Sequence, residues 1–187
     1  MDVINLNLPN ANAYIVKNYA KDTSSTFEYL KNHISWSSDD DLPNRQYCNM
    51  GIDYLVSSGK FRKGHPIEPL VSKIMDALNV EFNVVMNSCY AIYYENGNGE
   101  LPFRNNVEAQ VDLEQPAFSI SYGAPRKITF KDVNNGDEFE YLLEDGDLLI
   151  LSESSQKIYS YAIKKSTEFT GERISLSFRR FYNWSFD

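Results

Sequence analysis

Residues 93–108 read YYENGNGELPFRNNVE, and the interpretation of the whole chain depends on this stretch. A strand pattern from Ser88 to Glu95 leads into it, and Asn96-Gly97 then marks a turn. Beyond the turn lies a polar triplet, Arg104-Asn105-Asn106. Because residues at i and i+2 of a strand point to the same side, the side chains of Arg104 and Asn106 are expected to share one face.

The part of the chain that follows residue 80 is dominated by strand patterns. Asn135-Gly136 forms a strong two-residue hairpin turn, and Asp145-Gly146-Asp147 marks another turn. The predicted strands are Phe82–Met86, Ser88–Glu95, Phe118–Tyr122, Lys127–Phe130, Phe139–Leu143, Leu148–Leu151, Ile158–Ile163 and Arg173–Phe181. Six to eight antiparallel strands of this kind are typical of a jelly roll.

The first third of the chain mixes short strands with helices. Short strands are predicted on either side of the Pro9-Asn10 turn, and a capping box at Ser25 and Glu28 predicts a helix that runs to about His33. A second helix should begin after Pro66, where an apolar stripe recurs at helical spacing. The stripe is formed by Ile67, Leu70, Val71, Ile74, Met75 and Leu78.

These patterns predict an α+β fold, a double-stranded β-helix (jelly roll) with flanking helices mainly from the N-terminal third. We expect a single domain over residues 1–187, in which residues 1–80 pack on the sheet and residues 81–182 form the β-helix core. A chain of 187 residues is long enough for one domain with a proper core.

Composition restricts the partners and the compartment. The net charge of −8 and the pI near 4.8 disfavour nucleic acid, which needs lysine and arginine to neutralise its phosphates. Two distant cysteines, no signal-peptide pattern and no apolar run of membrane-spanning length predict a soluble intracellular protein, cytoplasmic or nuclear, with no membrane partner. The thirteen tyrosines suit extensive contacts with a protein partner or with further copies of the chain.

The order and spacing of several motifs resemble the AlkB family of iron- and 2-oxoglutarate-dependent dioxygenases. The resemblance covers roughly residues 43–180 and includes Tyr94, the Asn96-Gly97 turn, Pro102-Phe103 and the strand 118–126. It implies a metal site formed by a His-x-Asp pair and a distal histidine. In this chain those three positions are occupied by Arg104, Asn106 and Tyr161.

These three substitutions remove the donor groups that hold iron. A guanidinium has no lone pair to donate, Asn106 offers one neutral carbonyl, and a phenol with an ordinary pKa of about 10 stays protonated. The only histidines, His33 and His65, lie in the first third of the sequence. We therefore expect no metal, no bound cofactor and no catalytic residues.

The resemblance also implies a vestigial 2-oxoglutarate pocket. Arg173 and Arg179 match the two arginines that grip the carboxylates of that ligand in the family, and Tyr94 matches a tyrosine that bonds to it. An even spacing places both arginines on one face of a strand. The alternative is that they pair with acidic neighbours in the core, such as Glu108 or Asp112.

Three functions remain open at the level of the sequence. The first is a non-catalytic AlkB-like protein with a structural, scaffold or self-assembling role, for which the Asn/Tyr/Ile-rich composition suggests a viral source. The second is a nucleic-acid-binding module that uses Arg45, Lys60, Arg62 and Lys63. The third is a 2-oxoglutarate-dependent oxygenase with an atypical metal site.

Overall fold

A computed structural model describes residues 1–55, 59–107 and 110–182. Its helices are α1 (Thr23–His33), α2 (Pro69–Phe82) and α3 (Glu153–Ile158). Its strands are β1 (Asp2–Asn5), β2 (Ala13–Lys17), β3 (Ser37–Ser38), β4 (Arg45–Met50), β5 (Tyr54–Leu55), β6 (Phe61–Arg62), β7 (Ser88–Tyr94), β8 (Leu101–Arg104), β9 (Ala117–Gly123), β10 (Arg126–Asp132), β11 (Glu138–Leu143), β12 (Leu148–Leu151), β13 (Tyr159–Ile163) and β14 (Arg173–Arg179). None of the helices in these ranges is long and apolar enough to cross a membrane.

Two antiparallel sheets form the body of the fold. The larger sheet has eight strands in the order β1-β2-β12-β9-β14-β7-β4-β3, and the smaller has four in the order β11-β10-β13-β8. Strands β5 and β6 form a separate short hairpin. The predicted double-stranded β-helix is therefore confirmed.

The larger sheet separates two apolar cores, because successive side chains along its strands point to opposite faces. Ile174, Leu176 and Phe178 of β14 face the core that α1 and α2 complete. Ile92 and Tyr94 of β7 face the second core, which lies between the sheets. The helices thus cover one face of the larger sheet, and its other face looks into the interior of the β-helix.

Helix α1 differs from its predicted start. It begins at Thr23, and its N-cap residue Asp22 has φ 51 and makes no side-chain capping bond. Ser25 Oγ donates to the carbonyl of Asp22 at 2.9 Å, because Ser25 lies inside the first turn. The predicted capping box of Ser25 and Glu28 is wrong.

Helix α2 begins later and ends later than predicted. Pro69, and not Pro66, occupies its first turn, and the Glu68 side chain caps it by accepting from the backbone N–H groups of Leu70 and Val71. The predicted strand Phe82–Met86 is wrong, because Phe82 continues the apolar spacing of Leu78 and ends the helix. Residues Val71, Met75 and Leu78 of the predicted stripe are buried in the core.

Candidate functional site

A cavity of about 50 Å³ lies between the two sheets. Most of its wall is aliphatic, formed by Ile92, Leu101, Ile128, Leu143, Leu149, Leu151 and Ile163. Its polar lining includes Tyr90, Tyr94, Arg104, Asn106, Tyr161, Arg173, Ser175, Ser177 and Arg179. Every second residue of a strand points to the same side, which explains why β14 contributes Arg173, Ser175, Ser177 and Arg179 to this lining.

The three positions expected to hold a metal in the family lie together at one end of the cavity. Arg104 ends β8 and stands opposite Tyr161 of β13 in the strand register. Asn106 follows two residues later and is 1% exposed. The Tyr161 hydroxyl donates to Asn106 Oδ1 at 2.9 Å. The fold therefore brings together the three positions that the sequence motifs singled out.

Two further side chains complete a hydrogen-bonded group around Asn106. Arg179 Nη1 donates to Asn106 Oδ1 at 3.3 Å, so this oxygen accepts two hydrogen bonds. Asn106 Nδ2 donates to Gln156 Oε1 at 3.2 Å. Gln156 is in turn held by the carbonyls of Gln115 and Leu151, to which its amide donates. Every polar atom of the Asn106 side chain is engaged with a neutral or cationic neighbour.

Arg104 lies against an aromatic ring at the same end of the cavity. Its guanidinium carbon is 5.5 Å from the ring centroid of Tyr90. Arg62 of the β5–β6 hairpin packs on the same Tyr90 ring and on Tyr47, with its guanidinium carbon 5.2 Å from each ring centroid. The sequence analysis missed Tyr47 and Tyr90 as part of this group. The one signal for Tyr90 is its even spacing from Tyr94 on β7, and no sequence pattern marks Tyr47 of β4.

The residues at this end of the cavity do not fit iron. The family's chemistry needs imidazole and carboxylate lone pairs, and a facial set of two histidines and one carboxylate. Here the candidate positions supply a guanidinium, an amide oxygen that already accepts two bonds, and a phenol that donates its hydrogen. Within the described ranges there is no group of three histidine, cysteine, aspartate or glutamate side chains placed to hold a metal ion.

The two histidines of the chain are placed elsewhere. His33 and His65 both line a separate cleft between α1, β4 and the start of α2, together with Cys48 and Glu68. His33 stacks on Tyr29 with ring centroids 3.9 Å apart. Neither histidine lines the cavity between the sheets, so neither replaces a missing ligand.

At the other end of the cavity, Arg173 is buried beside Tyr94. Its side chain is 1% exposed, and its guanidinium carbon lies 5.2 Å from the centroid of the Tyr94 ring. Arg173 Nη2 donates to Ser121 Oγ at 2.9 Å, whereas Nε and Nη1 have no hydrogen-bond partner. Burial lowers the pKa of Arg173, and the Tyr94 phenol opposes that decrease.

Arg126 packs against the same tyrosine and was missed by the sequence analysis. Its guanidinium carbon is 5.3 Å from the Tyr94 ring centroid. Its Nη2 donates to the carbonyls of Gly99 and Lys164, at 2.8 and 2.6 Å, and burial lowers its pKa. Tyr94 is therefore fully buried between two guanidinium groups.

The acidic partners expected for Arg173 and Arg179 are not seen in the described residues. Asp112 instead forms a salt bridge with Arg180 at 3.4 Å and accepts from the Tyr182 hydroxyl. Glu108 lies outside the described residues. The alternative in which Asp112 neutralises the cavity arginines is wrong, because Asp112 pairs with Arg180, the residue that follows β14.

The basic residues proposed to contact nucleic acid do not form one surface. Arg45 is buried, with Nη1 donating to the carbonyl of Glu100 and Nη2 3.6 Å from Asp39 Oδ2. Lys60 and Lys63 are exposed, while Arg62 packs on the tyrosines described above. The expectation that Arg45 contributes to a surface groove is wrong, because strand β4 directs its side chain into the protein.

Comparisons with known proteins agree with this fold. The model of a family described as the 2OG-Fe(II) oxygenase superfamily matches residues 10–179. OsALKBH1 is similar in structure with a TM-score of 0.72 and 16% identity, over 92% of this chain and 98% of that one. A Pseudomonas putida prolyl-4-hydroxylase is similar with a TM-score of 0.58 and 9% identity, over 94% of each chain. No curated protein matches the sequence. At these identities the structural likenesses show the fold, which is the AlkB-like frame that the motifs predicted.

Proposed function

Because this chain belongs to the 2OG-Fe(II) oxygenase superfamily, we propose that it is a member that neither binds iron nor catalyses oxygenation. Its role is that of a structural, scaffold or self-assembling protein. The loss of iron chemistry concerns one end of the cavity, and self-association concerns the edge of the larger sheet.

The contacts of Asn106 support the loss of iron chemistry. Its Oδ1 accepts from both Tyr161 and Arg179, and these bonds fill the position from which a carboxylate would bind a metal. A metal ion entering here would have to displace two donors and lie beside the permanent cations Arg179 and Arg104. Bringing a divalent cation within a few ångströms of a guanidinium in a buried site is strongly unfavourable.

Anaerobic calorimetric titration with Fe(II), paired with an assay for succinate release from 2-oxoglutarate, tests this part of the proposal. We expect no saturable metal binding and no succinate above the level of a protein-free control. One Fe(II) bound per chain together with succinate release would overturn the proposal and favour an oxygenase with an atypical metal site.

A variant that restores the family's ligands provides the matched control. Arg104→His, Asn106→Asp and Tyr161→His, made together, place two imidazoles and a carboxylate on side chains that the fold already brings together. We expect this triple variant to gain binding of a divalent metal in the same titration, because the donor set then suits the ion. A gain of metal binding would show that the fold can hold a divalent metal and that the native residues at these three positions prevent it.

Strand β1 supports a role in self-association. It lies at the edge of the eight-stranded sheet, and all four of its residues are exposed. Val3 and Ile4 expose 54% and 43% of their surface. An apolar edge strand with unpaired backbone groups is a template for pairing with another chain.

A further inference from the structure

The chain contains three Asn-Gly pairs, and the fold places them in different surroundings. Asn96-Gly97 and Asn98-Gly99 follow β7, whereas Asn135-Gly136 lies in the turn between β10 and β11. Gly97 and Gly99 are buried, while Gly136 is exposed together with Asn135. An asparagine can react with the backbone nitrogen of the residue that follows it, and glycine hinders that approach least because it has no side chain. The three pairs are therefore chemical sites that differ in their packing.

Two of the pairs share a hydrogen bond that favours this reaction. Asn135 Oδ1 accepts from the backbone N–H of Asp137 at 2.8 Å. Asn96 Oδ1 accepts from the backbone N–H of Asn98, also at 2.8 Å. Such a bond folds the asparagine side chain back over the following peptide, which brings its Cγ atom toward the glycine nitrogen. The donated hydrogen also stabilises the negative charge that develops on Oδ1 when Cγ is attacked.

The packing around Gly97 restrains the first of these two pairs. A Cβ atom built on Gly97 would overlap the carbonyl oxygens of Ser166 and Phe169, and the Gly97 carbonyl accepts from the Ser166 backbone N–H at 2.8 Å. Asn96 Nδ2 is also held, since it donates to Asn44 Oδ1 at 3.2 Å. Attack on Cγ needs rotation of the backbone around the glycine nitrogen. These contacts prevent that rotation unless the segment opens locally.

Gly136 has the space that Gly97 lacks. Among the described residues beyond its chain neighbours, a Cβ atom built on Gly136 would come no nearer than 3.9 Å, to the flexible side chain of Lys131. The Gly136 N–H donates to the Asp132 carbonyl at 2.9 Å, and this bond must open before the nitrogen can attack. At the exposed tip of a hairpin such an opening costs little free energy. The reaction is therefore favoured by a bond that both sites share and permitted by packing at only one of them.

We propose that Asn135 is a site of spontaneous deamidation, and that the fold protects Asn96 and Asn98. The Gly136 nitrogen loses its proton to solvent base and forms a bond to Cγ of Asn135. The bond from Cγ to Nδ2 breaks, and Nδ2 takes a proton from solvent and leaves as ammonia. Water then opens the resulting cyclic imide at one of its two carbonyls, which gives aspartate or isoaspartate. The reaction needs only water and base, so the inference is independent of the proposed function.

Deamidation changes both the charge and the main chain of the hairpin tip. The carboxylate that replaces the Asn135 amide lies beside Asp137 and Glu138, which are both exposed, and charges of one sign repel each other at this separation. The isoaspartate form also adds a carbon atom to the main chain, which disturbs the hydrogen bond between Gly136 and Asp132. Each modified molecule therefore carries an extra negative charge and separates from the native chain in anion exchange.

Incubation of the full chain at pH 8, followed by mass spectrometry of tryptic peptides at successive times, tests the inference. Trypsin places Asn135 on a different peptide from Asn96 and Asn98, because Arg104 and Lys131 lie between them. We expect deamidation at Asn135 to be at least about tenfold faster than at the other two sites. In urea-denatured chain the three rates should agree within about threefold, since no packing then distinguishes the sites. Equal rates in the native chain, or no native product at Asn135 while the denatured chain reacts, would overturn the inference.

Two variants at the hairpin tip locate the reaction in the intact protein. Asn135→Gln keeps the amide on a longer side chain that must close a larger ring, so the charge variant seen in anion exchange should form at least about tenfold more slowly. Asn134→Gln is the matched control, because Asn134 is equally exposed but is not followed by glycine. This control should react as the native chain does. An unchanged rate of charge-variant formation in Asn135→Gln would overturn the inference.

Discussion

Asn106 holds the polar end of the cavity together, because its side chain joins β13, β14 and α3 through Tyr161, Arg179 and Gln156. A carboxylate at this position would carry a negative charge that one guanidinium could neutralise. An amide needs no counter-charge and supplies a donor as well as an acceptor. The substitution therefore suits a closed hydrogen-bonded group better than it suits an open coordination site.

Removing the Tyr161 hydroxyl should cost stability. In Tyr161→Phe, Asn106 Oδ1 retains only its bond from Arg179, and we expect the free energy of unfolding to fall by about 1 kcal/mol. Urea denaturation monitored by circular dichroism measures this change. Tyr14→Phe, which removes the hydroxyl of a half-buried tyrosine outside the cavity, is the control and should change stability by less than about 0.5 kcal/mol. Equal effects of the two substitutions would contradict the role given to Tyr161.

The two thiols should be unreactive in the native protein. Cys48 and Cys89 are both buried, and burial raises the pKa of Cys48 from 9.0 to about 11 and that of Cys89 still further. Thiolate is the reactive species, so we expect no fast reaction with Ellman's reagent at pH 8 and two thiols per chain in denaturant. Rapid native labelling at pH 8 would contradict the burial of these residues.

The same pKa shifts predict how stability depends on pH. A thiol whose pKa is raised by folding contributes its full stability below pH 9.0, and that contribution is lost as the pH rises toward the folded pKa of about 11. The free energy of unfolding should therefore decrease as the pH rises from 9.0 to about 11. Because tyrosines and lysines also titrate there, Cys48→Ala with Cys89→Ala is the comparison, and this double variant should show the shallower fall.

At the residue scale, sequence reasoning identified positions better than partners. The even spacing of Arg173 and Arg179 correctly placed both on one face of a strand. Their neighbours could not be read from the sequence, since Ser121 and Asn106 come from distant segments and are neutral. Charge alone suggested an acidic partner, and Asp112 was wrong because it forms its salt bridge with Arg180 instead.

Strand β14 presents one face to the helices and the other face to the cavity. Its sequence, RISLSFR, alternates polar and apolar residues, and it pairs with β7 on one side and β9 on the other. The apolar set supports the helices and the polar set lines the cavity. A period of two was visible in the sequence, and this is why the strand and its faces could be predicted.

Helix α2 depends on its cap. Glu68 accepts from the N–H groups of Leu70 and Val71 and from the Tyr29 hydroxyl at 2.8 Å. We expect Glu68→Ala to lower the free energy of unfolding by about 1 to 2 kcal/mol, since it leaves helix donors unpaired. Chemical denaturation checks this value. Asp76→Ala, on the exposed side of the same helix, should be nearly neutral, and a loss as large as that of Glu68→Ala would contradict the capping role.

Element boundaries were harder to predict than element types. Pro66 and Pro69 are both suitable at a helix start. The helix begins at Pro69 because Glu68 then occupies the N-cap position, from which its side chain reaches the N–H groups of the first turn. Likewise, Phe82 fits a strand or a helix by composition. Its contact with Phe118, with ring centroids 5.0 Å apart, is a tertiary interaction that favours the helix.

Charged side chains of both signs are buried in the molecule. Four arginines are buried, Arg45, Arg126, Arg173 and Arg179, and so are three aspartates, Asp112, Asp132 and Asp147. Because these buried charges nearly cancel, the outer surface is about as acidic as the net charge of −8 indicates. An acidic surface disfavours a polyanion as a partner.

Single-stranded nucleic acid should not bind. Only Lys60 and Lys63 of the proposed basic residues are exposed, and Arg45 is buried. Fluorescence anisotropy with labelled single-stranded DNA and RNA at low salt, where phosphate contacts are strongest, should show no saturable change. Saturable binding that weakens with added salt and is lost in Lys60→Ala with Lys63→Ala would instead support the nucleic-acid-binding module.

Self-association through β1 should depend on its apolar edge. We expect light scattering to show a mass that rises with protein concentration, and Ile4→Lys to suppress this rise, because a charge on an edge strand blocks pairing. Val80→Lys, at an 84% exposed position on α2, is the matched control and should associate as the native chain does. A monomer at every concentration and pH would contradict the self-assembling role.

We propose that a hydrogen-bonded group of Asn106, Tyr161 and Arg179 fills the position of the superfamily's metal. A crystal structure of the native protein grown with excess Mn(II), with anomalous diffraction recorded, tests it most directly. We expect no anomalous peak in the cavity and a Tyr161 hydroxyl within hydrogen-bond distance of Asn106 Oδ1. A manganese peak bonded to Asn106, with Tyr161 or Arg179 displaced, would contradict it.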